Sequence, residues 1–451
     1  MKKIFGILFL AVLTFGGCMD NLEETEKGYS DMQVSMQLNY PIQSDFSAQA
    51  GVTVRMTEVT KGTVYEAQTD AKGLATFTVV PGRYTAAVTD KRASNATLTV
   101  LNGLLSNRNL SMADNGRVIP IDLQASTLSQ LVIKEFYFGG CKDNAGNRTY
   151  QYDKYLILYN NSEFNAPLYN LSLSMINPYN STMQTNHDEV DGKLLYDLGE
   201  DSWIPASAAF WTFGETDAVI APGQQIVIAL NNANNNTVTY NNSVDLSDPS
   251  YYITYDPEAF NNAMMHPAPS ANIPTSHYLT VPVKLGTANA WPLSATSPAF
   301  FLFAAPLGTD LSAFASNPDN QHSYQNNPIN GRFKIPIAWI LDGIEVFKAG
   351  ANNNKKRLLA TVDAGSILFT NTFGYTCYRN VDVEATEAIE GNKEKLVYNY
   401  AYGTTDIANG STDPSGIDAE ASIRNGARII YQDTNNSTND FHMRRQASLR
   451  D

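Results

Sequence analysis

The sequence predicts an all-β protein, with the chain divided between two β-sandwich domains at residues 30–125 and 128–451. Three observations carry this expectation. Apolar residues alternate with polar ones at Met32, Val34, Met36, Leu38 and Tyr40 and again at Val52, Val54 and Met56, the two-residue period of half-buried strands. Turn formers such as Pro81-Gly82 and Pro222-Gly223 punctuate the apolar runs. The composition is polar without being charged: 44 asparagines, Tyr 24 against Phe 20, and only 17% charged residues, as in loop-rich β proteins. Hydrophobic residues make up 43%, enough for ordinary cores, which excludes wholesale disorder. Lys+Arg 31 against Asp+Glu 45 give a net charge of -14 without a basic block, which argues against a nucleic-acid partner.

The first segment reads as an address. Lys2 and Lys3 precede an apolar run from Ile4 to Phe15, followed by Gly16-Gly17-Cys18. The run is too short for a transmembrane helix and reads as a signal peptide over residues 1–17. The small residues before Cys18 resemble a bacterial lipobox. That resemblance implies cleavage before Cys18, which then carries the lipid; loss of the two lysines changes the charge to 29 − 45 = −16. Residues 18–29 are polar, acidic and without periodicity, a flexible tether. Acidic residues soon after such a cysteine resemble the surface-export signal of some diderm bacteria. This implies an outer-membrane lipoprotein exposed at the cell surface, with a periplasm-facing tether as the alternative.

Strands of the first domain follow in order. After Met32–Tyr40 and Val52–Met56, the turn Thr69-Asp70-Ala71-Lys72-Gly73 leads into Ala75, Phe77 and Val79. Val80-Pro81-Gly82-Arg83 then turns the chain into Tyr84, Ala86 and Val88; Pro followed by Gly predicts a type II turn with Gly82 at positive φ. Leu98–Val100 and Val118–Leu123 complete the set. The stretch from Thr69 to Phe77, with Pro81-Gly82-Arg83-Tyr84, resembles the carboxypeptidase regulatory-like family. The resemblance implies a small prealbumin-like β-sandwich that serves as a spacer or as a ligand-binding module.

In the second domain, strand candidates are Leu131–Phe138, Asp153–Asn160 and Leu168–Leu173. Ile220-Ala221-Pro222-Gly223 then feeds Ile226–Ala229, and Ile340–Val346 and the segment Asp433–Phe441 follow. In this order the segments resemble the lamin-tail domain, an immunoglobulin-like β-sandwich. Ile157 departs from the family, which commonly carries glutamate there. Residues 175–215, 231–330 and 380–430 exceed the usual frame; rich in Asn, Ser, Pro and Tyr, they read as inserted loops, where function concentrates. Signal, tether, small sandwich and enlarged frame together resemble an uncharacterised family of bacterial surface lipoproteins. That resemblance implies company with TonB-dependent outer-membrane transporters.

Catalytic signatures are missing: no Gly-x-Ser-x-Gly elbow, no His-Glu-x-x-His, no phosphate-binding loop. Asp188-Glu189 and Glu200-Asp201 are pairs of a kind any acidic chain offers. Among His187, His266, His277, His322 and His442 none has ligand spacing with another, although Met264-Met265-His266 and His442-Met443 combine imidazole with thioether. Asp433–Asp440 clusters oxygens without the spacing of a calcium loop. Cys141 and Cys377 either pair or act as two small buried hydrophobes. Tyr251-Tyr252-Ile253-Thr254-Tyr255 near Phe260 is either a stacking surface or a strand. Lys355-Lys356-Arg357 is the sole local basic run noted.

The expectation is a non-enzyme with no metal and no cofactor. It would bind a ligand or dock on an outer-membrane transporter for nutrient, iron or haem uptake. A hydrolase with its site in the 175–330 insertions and a structural adhesion protein are the alternatives. Cys18 is the residue assigned a role, as the lipid attachment point.

Overall fold

The alternating residues of the first hundred positions become two facing sheets in the computed structural model. The model describes residues 30–41, 46–94, 96–176, 180, 189–190, 193–323, 331–405 and 411–451. Cys18, with the segments read as signal peptide and tether, lies outside the described residues, as do His187 and Asp188. Two compact units result, one of residues 30–90 and 101–124 and one of residues 91–100 and 125–451. Among the described residues no helix is long and apolar enough to cross a membrane.

In the small unit, β1 (Met32–Asn39), β4 (Leu74–Val79) and β7 (Arg117–Asp122) form one sheet in the order β4-β1-β7. Opposite run β2 (Thr53–Glu58), β3 (Val64–Gln68), β5 (Gly82–Ser94) and β6 (Thr97–Leu110), ordered β3-β2-β5-β6. Met32, Val34, Met36 and Leu38 meet Val54, Met56, Ala86 and Val88 in one core, while the alternate residues face outward. The period of two in the sequence is therefore the period of burial.

The two turns flanking β4 differ. Asp70–Gly73 closes as the sequence predicts: Gly73 takes φ 76, its N–H donates to Asp70 O at 3.0 Å, and Asp70 Oδ1 accepts the N–H groups of Lys72 and Leu74. Gly82 does not adopt the predicted positive φ; it already opens β5. It is needed for space instead. A Cβ there would sit 3.2 Å from the Tyr84 ring, whose hydroxyl donates back to Val80 O at 2.8 Å.

The large unit is a sandwich around a single inner core. Its first sheet contains β8 (Leu131–Tyr137), β9 (Lys154–Asn160), β12 (Gln225–Leu230), β13 (Tyr252–Thr254), β14 (Tyr278–Leu279), β18 (Thr376–Arg379) and β19 (Phe441–Arg444). Their order is β14-β13-β12-β9-β8-β18-β19. The second contains β10 (Leu171–Met175), β11 (Trp211–Thr212), β15 (Ala299–Ala304), β16 (Ile340–Lys348) and β17 (Ile367–Phe369), ordered β11-β10-β15-β16-β17. Leu156, Leu158 and Ile228 of the first sheet pack on Leu173, Phe300 and Leu302 of the second. Pro222-Gly223 makes the expected turn into β12: Gly223 has φ 70 and Gln224 N–H donates to Ala221 O at 3.0 Å.

Here the strands read as unbroken apolar runs because both faces of both sheets are covered. The stretches read as loops supply most of the covers, with Phe333 and Tyr431 just beyond their bounds. Tyr196, Ile204, Phe210 and Phe333 pack on Phe301 and Phe303. Val244, Leu246 and Ile273 cover Tyr155, Ile157 and Val227. Ile417, Ile429 and Tyr431 cover Val132, Tyr159 and Tyr378. Ile157, placed where a glutamate was expected, is simply one of these buried apolar contacts.

Candidate functional site

The segment from Asn231 to Leu293 leaves the first sheet at β12 and returns to it twice, as β13 and β14. Asn231 starts the excursion in the left-handed region, φ 80, a conformation asparagine tolerates better than most residues. Short polar side chains then fold the chain on itself. Asn235 Oδ1 accepts from the backbone N–H and hydroxyl of Thr237, Asp245 Oδ1 from those of Ser247, and Asp248 Oδ1 from those of Ser250. Asn262 Oδ1 accepts the N–H groups of Met264 and Met265. Asp256 does the same for Glu258 and Ala259, and its other oxygen holds Val281 N–H at 3.2 Å. These Asx turns give the high Asn and Asp content a physical role: each side chain replaces a backbone acceptor that an irregular segment lacks.

A buried hub fixes this segment to the frame. His266 is 4% exposed. Its Nε2 accepts the N–H of Trp291 at 3.1 Å, with Asn231 Nδ2 at 3.4 Å. Asn231 Nδ2 also donates to Trp291 O at 3.1 Å. The His266 ring stacks on Phe260 at 5.6 Å between centroids, and Trp211 lies 5.7 Å from Phe260 and 6.1 Å from Trp291. Lys154 enters the same region from β9, its ammonium donating to Leu293 O at 2.5 Å. Burial pushes the His266 ring down to about 4, with the Lys154 charge adding to the effect. Burial likewise lowers Lys154 to about 8.

The frame thereby presents a set of partly exposed aromatic rings. Tyr252 stacks on His277 at 4.3 Å and meets Phe213 edge-on at 5.0 Å; Tyr255 meets Tyr278 edge-on at 5.5 Å. His277 Nδ1 donates to Tyr251 O at 3.1 Å. Burial raises the phenols of Tyr251 and Tyr252, so both stay protonated donors near neutral pH. Ile253 and Thr254 are buried in β13. The run is thus a strand at its centre, with Tyr252 packed against the inner core and Tyr251 and Tyr255 against the cover on the other face, all three rings partly exposed. Rigid aromatic rings with a polar atom at the rim bind sugars, peptides and planar ligands by stacking.

The remaining candidates fall elsewhere. Met264 is exposed while His266 is buried, and Met443 packs in the inner core while His442 points to the other face of β19, so neither pair converges. His442 Nδ1 donates to Asn380 Oδ1 at 2.8 Å, and Tyr400 donates its hydroxyl to Nε2. His322 leans on Trp203, and Trp203, Trp211 and Trp291 are all buried. Cys141 and Cys377 are free and buried. Lys355 pairs with Glu189 at 3.0 Å and Lys356 with Glu345 at 2.7 Å, while Arg357 is fully buried. The two lysines of the basic run are therefore paired with carboxylates while remaining partly exposed, and only Arg357 is buried. Asp440 accepts the N–H and hydroxyl of Thr434 and the N–H of Asn436, so the Asp433–Asp440 segment is a structural turn. Glu200 and Asp201 are exposed in a single helical turn. Among the described residues no group of three or more His, Cys, Asp or Glu side chains is placed to hold a metal.

Sequence reasoning did not reveal the hub. Asn231, His266, Trp291 and Lys154 lie far apart in the chain, and Lys154 alone carried a signal, as a charge inside an otherwise buried strand.

A cavity of about 190 Å³ elsewhere in the large unit is lined by Leu128, Ile337, Ile340, Val362, Asp342 and Asp433. Asp342 is not available to a ligand there. Its Oδ2 accepts Ile133 N–H at 2.6 Å and a bond from Arg379, and its Oδ1 accepts Gly343 N–H at 2.7 Å.

Residues 221–397 match the DUF4876 family, described as proteins of unknown function. A comparison with curated proteins finds no match. Among solved structures, a DUF4876 family protein from Bacteroides thetaiotaomicron is similar, with a TM-score of 0.53 and 20% identity, covering 91% of this chain and 94% of that one. The similarity is one of fold. The major pilin subunit of Bacillus cereus aligns at a TM-score of 0.16 and 10% identity over 76% of this chain and 100% of that one, which carries no argument. The family match spans the whole excursion from Asn231 to Leu293 and its return to the frame.

Proposed function

We propose that the protein is a non-catalytic outer-membrane surface lipoprotein. It is anchored through Cys18, spaced from the membrane by its prealbumin-like small domain, and binds through the inserted segment of a lamin-tail-like large domain. Its partner is a ligand for uptake or the TonB-dependent type of transporter that takes it up. The observation carrying this reading is the Tyr252–His277–Phe213 and Tyr255–Tyr278 set, aromatic rings kept partly exposed by a segment clamped from beneath.

The buried carboxylates support a binding role over a catalytic one. Burial raises Glu135 and Glu345 above the ordinary carboxylate range, a property common at active sites. Both are occupied by the protein. Glu135 accepts Tyr155 hydroxyl at 2.8 Å and Ser448 N–H at 3.0 Å; Glu345 accepts the N–H groups of Arg357 and Leu358 at 2.8 and 2.9 Å. The acidic turns Asp245, Asp248 and Asp256 around the rings disfavour an anionic partner.

The test is a photoreactive amino acid placed at Tyr255 in cells, with Val118 of the small domain, 57% exposed, as the control site. The expected result is an adduct with an outer-membrane barrel from position 255 and none from 118. Adducts from 118 alone would overturn the assignment of the surface.

A further inference from the structure

Three buried nitrogen atoms of the hub have no hydrogen-bond partner: Trp211 Nε1, Trp291 Nε1 and His266 Nδ1. All three are donors. Indole nitrogen only donates. His266 Nε2 accepts from Trp291 N–H, so in the neutral ring the proton sits on Nδ1. Lys154 adds a buried ammonium whose one acceptor among the described residues is Leu293 O. The rings share one cluster, with Trp211 6.3 Å from His266 and 6.1 Å from Trp291 between centroids.

A buried donor without an acceptor costs about 1–3 kcal/mol, and native proteins rarely leave several together. The shortage is of acceptors only. The acidic group whose charge acts on Lys154 is Asp153. The neighbouring Asp153 carboxylate accepts from Tyr137, a residue of the outer face, at 3.0 Å, while Lys154 reaches Leu293 in the inner core. Aromatic ring edges carry partial positive charge and so add to the same field. Any guest has to fit among rings whose centroids lie 6.1 and 6.3 Å apart, which favours a single atom.

We propose that Trp211, Trp291, His266 and Lys154 hold a single monatomic anion, chloride in ordinary salt solution, which completes the hub beneath the aromatic surface. A species that binds only the folded state raises its stability with concentration. The melting temperature should therefore rise with chloride or bromide when ionic strength is held constant with gluconate. Crystals grown in bromide should show an anomalous peak beside the two indole nitrogens. Trp291→Phe keeps the ring and removes one donor, and should weaken the halide dependence; Lys154→Met should abolish it. Should Lys154→Met fail to fold, the wild-type anomalous map and Trp291→Phe still decide. A melting temperature indifferent to halide, with a water and no anomalous signal at the site, would overturn the proposal.

Discussion

Arg379 of β18 and Asp342 of β16 form a buried ion pair that ties one sheet of the large domain to the other. Both residues also hold the same residue of β8. Arg379 Nε donates to Ile133 O at 2.7 Å, while Ile133 N–H donates to Asp342 at 2.6 Å. Arg379 further donates to Gln432 O at 3.0 Å and faces Asp433 at 3.4 Å. The clamp thus joins the first strand of the frame to its C-terminal segment.

Removing Arg379 leaves the buried Asp342 without its cation, and removing Asp342 leaves Arg379 with only the more distant Asp433 and Asp440. Arg379→Met or Asp342→Asn should each destabilise the large domain by about 3–5 kcal/mol. The double variant should cost less than the sum, because the pair is one unit. Chemical denaturation of the four proteins measures the coupling; additive losses would show that the two side chains act separately.

Truncation after Asp433 should unfold the large domain rather than trim it. The missing segment contains β19, which pairs with β18 from Thr376↔Arg444 to Arg379↔Phe441, and Ser448, which caps the buried Glu135. A truncated protein with unchanged thermal stability would contradict this.

Acid should destabilise the protein through two buried histidines. Burial lowers His266 from the ordinary 6.5 to about 4 and His442 to about 3. As pH falls below about 6.5 the unfolded chain takes up protons that the folded rings refuse, so stability is complete above that value and declines towards pH 4. The loss should be on the order of a few kcal/mol across both sites. His442→Gln should flatten the slope of melting temperature against pH in that window; an unchanged slope would remove His442 from the account.

Cys18→Ala should release the protein from membranes, as no other segment is proposed to hold it there. Fractionation in high salt, where charge-driven adhesion is screened, checks this. A variant that still sediments with membranes would refute the anchor.

The small domain was legible because each strand has one wet face, so Met32 to Leu38 announced both strand and core. The inner strands of the large domain were legible as apolar runs, but not their outer covers. Tyr196, Ile204 and Phe333 lie in stretches without periodicity and become a layer only when distant segments meet. The turns at Asn235, Asp245 and Asp248 do carry a local signal, an acceptor two residues before Thr or Ser, which the reading of 231–330 as an inserted loop passed over. Gly82 misled because Pro-Gly fits a type II turn as well as the crowding under Tyr84. Beyond the charge of Lys154 in a buried strand, the hub had no local signature, since His266 and Trp291 reach Lys154 only through the sandwich.

The central claim is that the aromatic rings carried by the inserted segment make the functional contact. Excising residues 240–290 would also remove β13, β14, Phe260 and His266, so point substitution is the cleaner probe. The deciding measurement is the yield of outer-membrane transporter retained by the full-length protein, purified from membranes, when Tyr252 and Tyr255 are both changed to Ser. Partly buried tyrosines at a contact are worth about 1–2 kcal/mol or more each, so retention should fall at least about tenfold, with membrane display and melting behaviour kept. Undiminished retention by a folded, displayed variant would contradict the claim and move the contact to another surface.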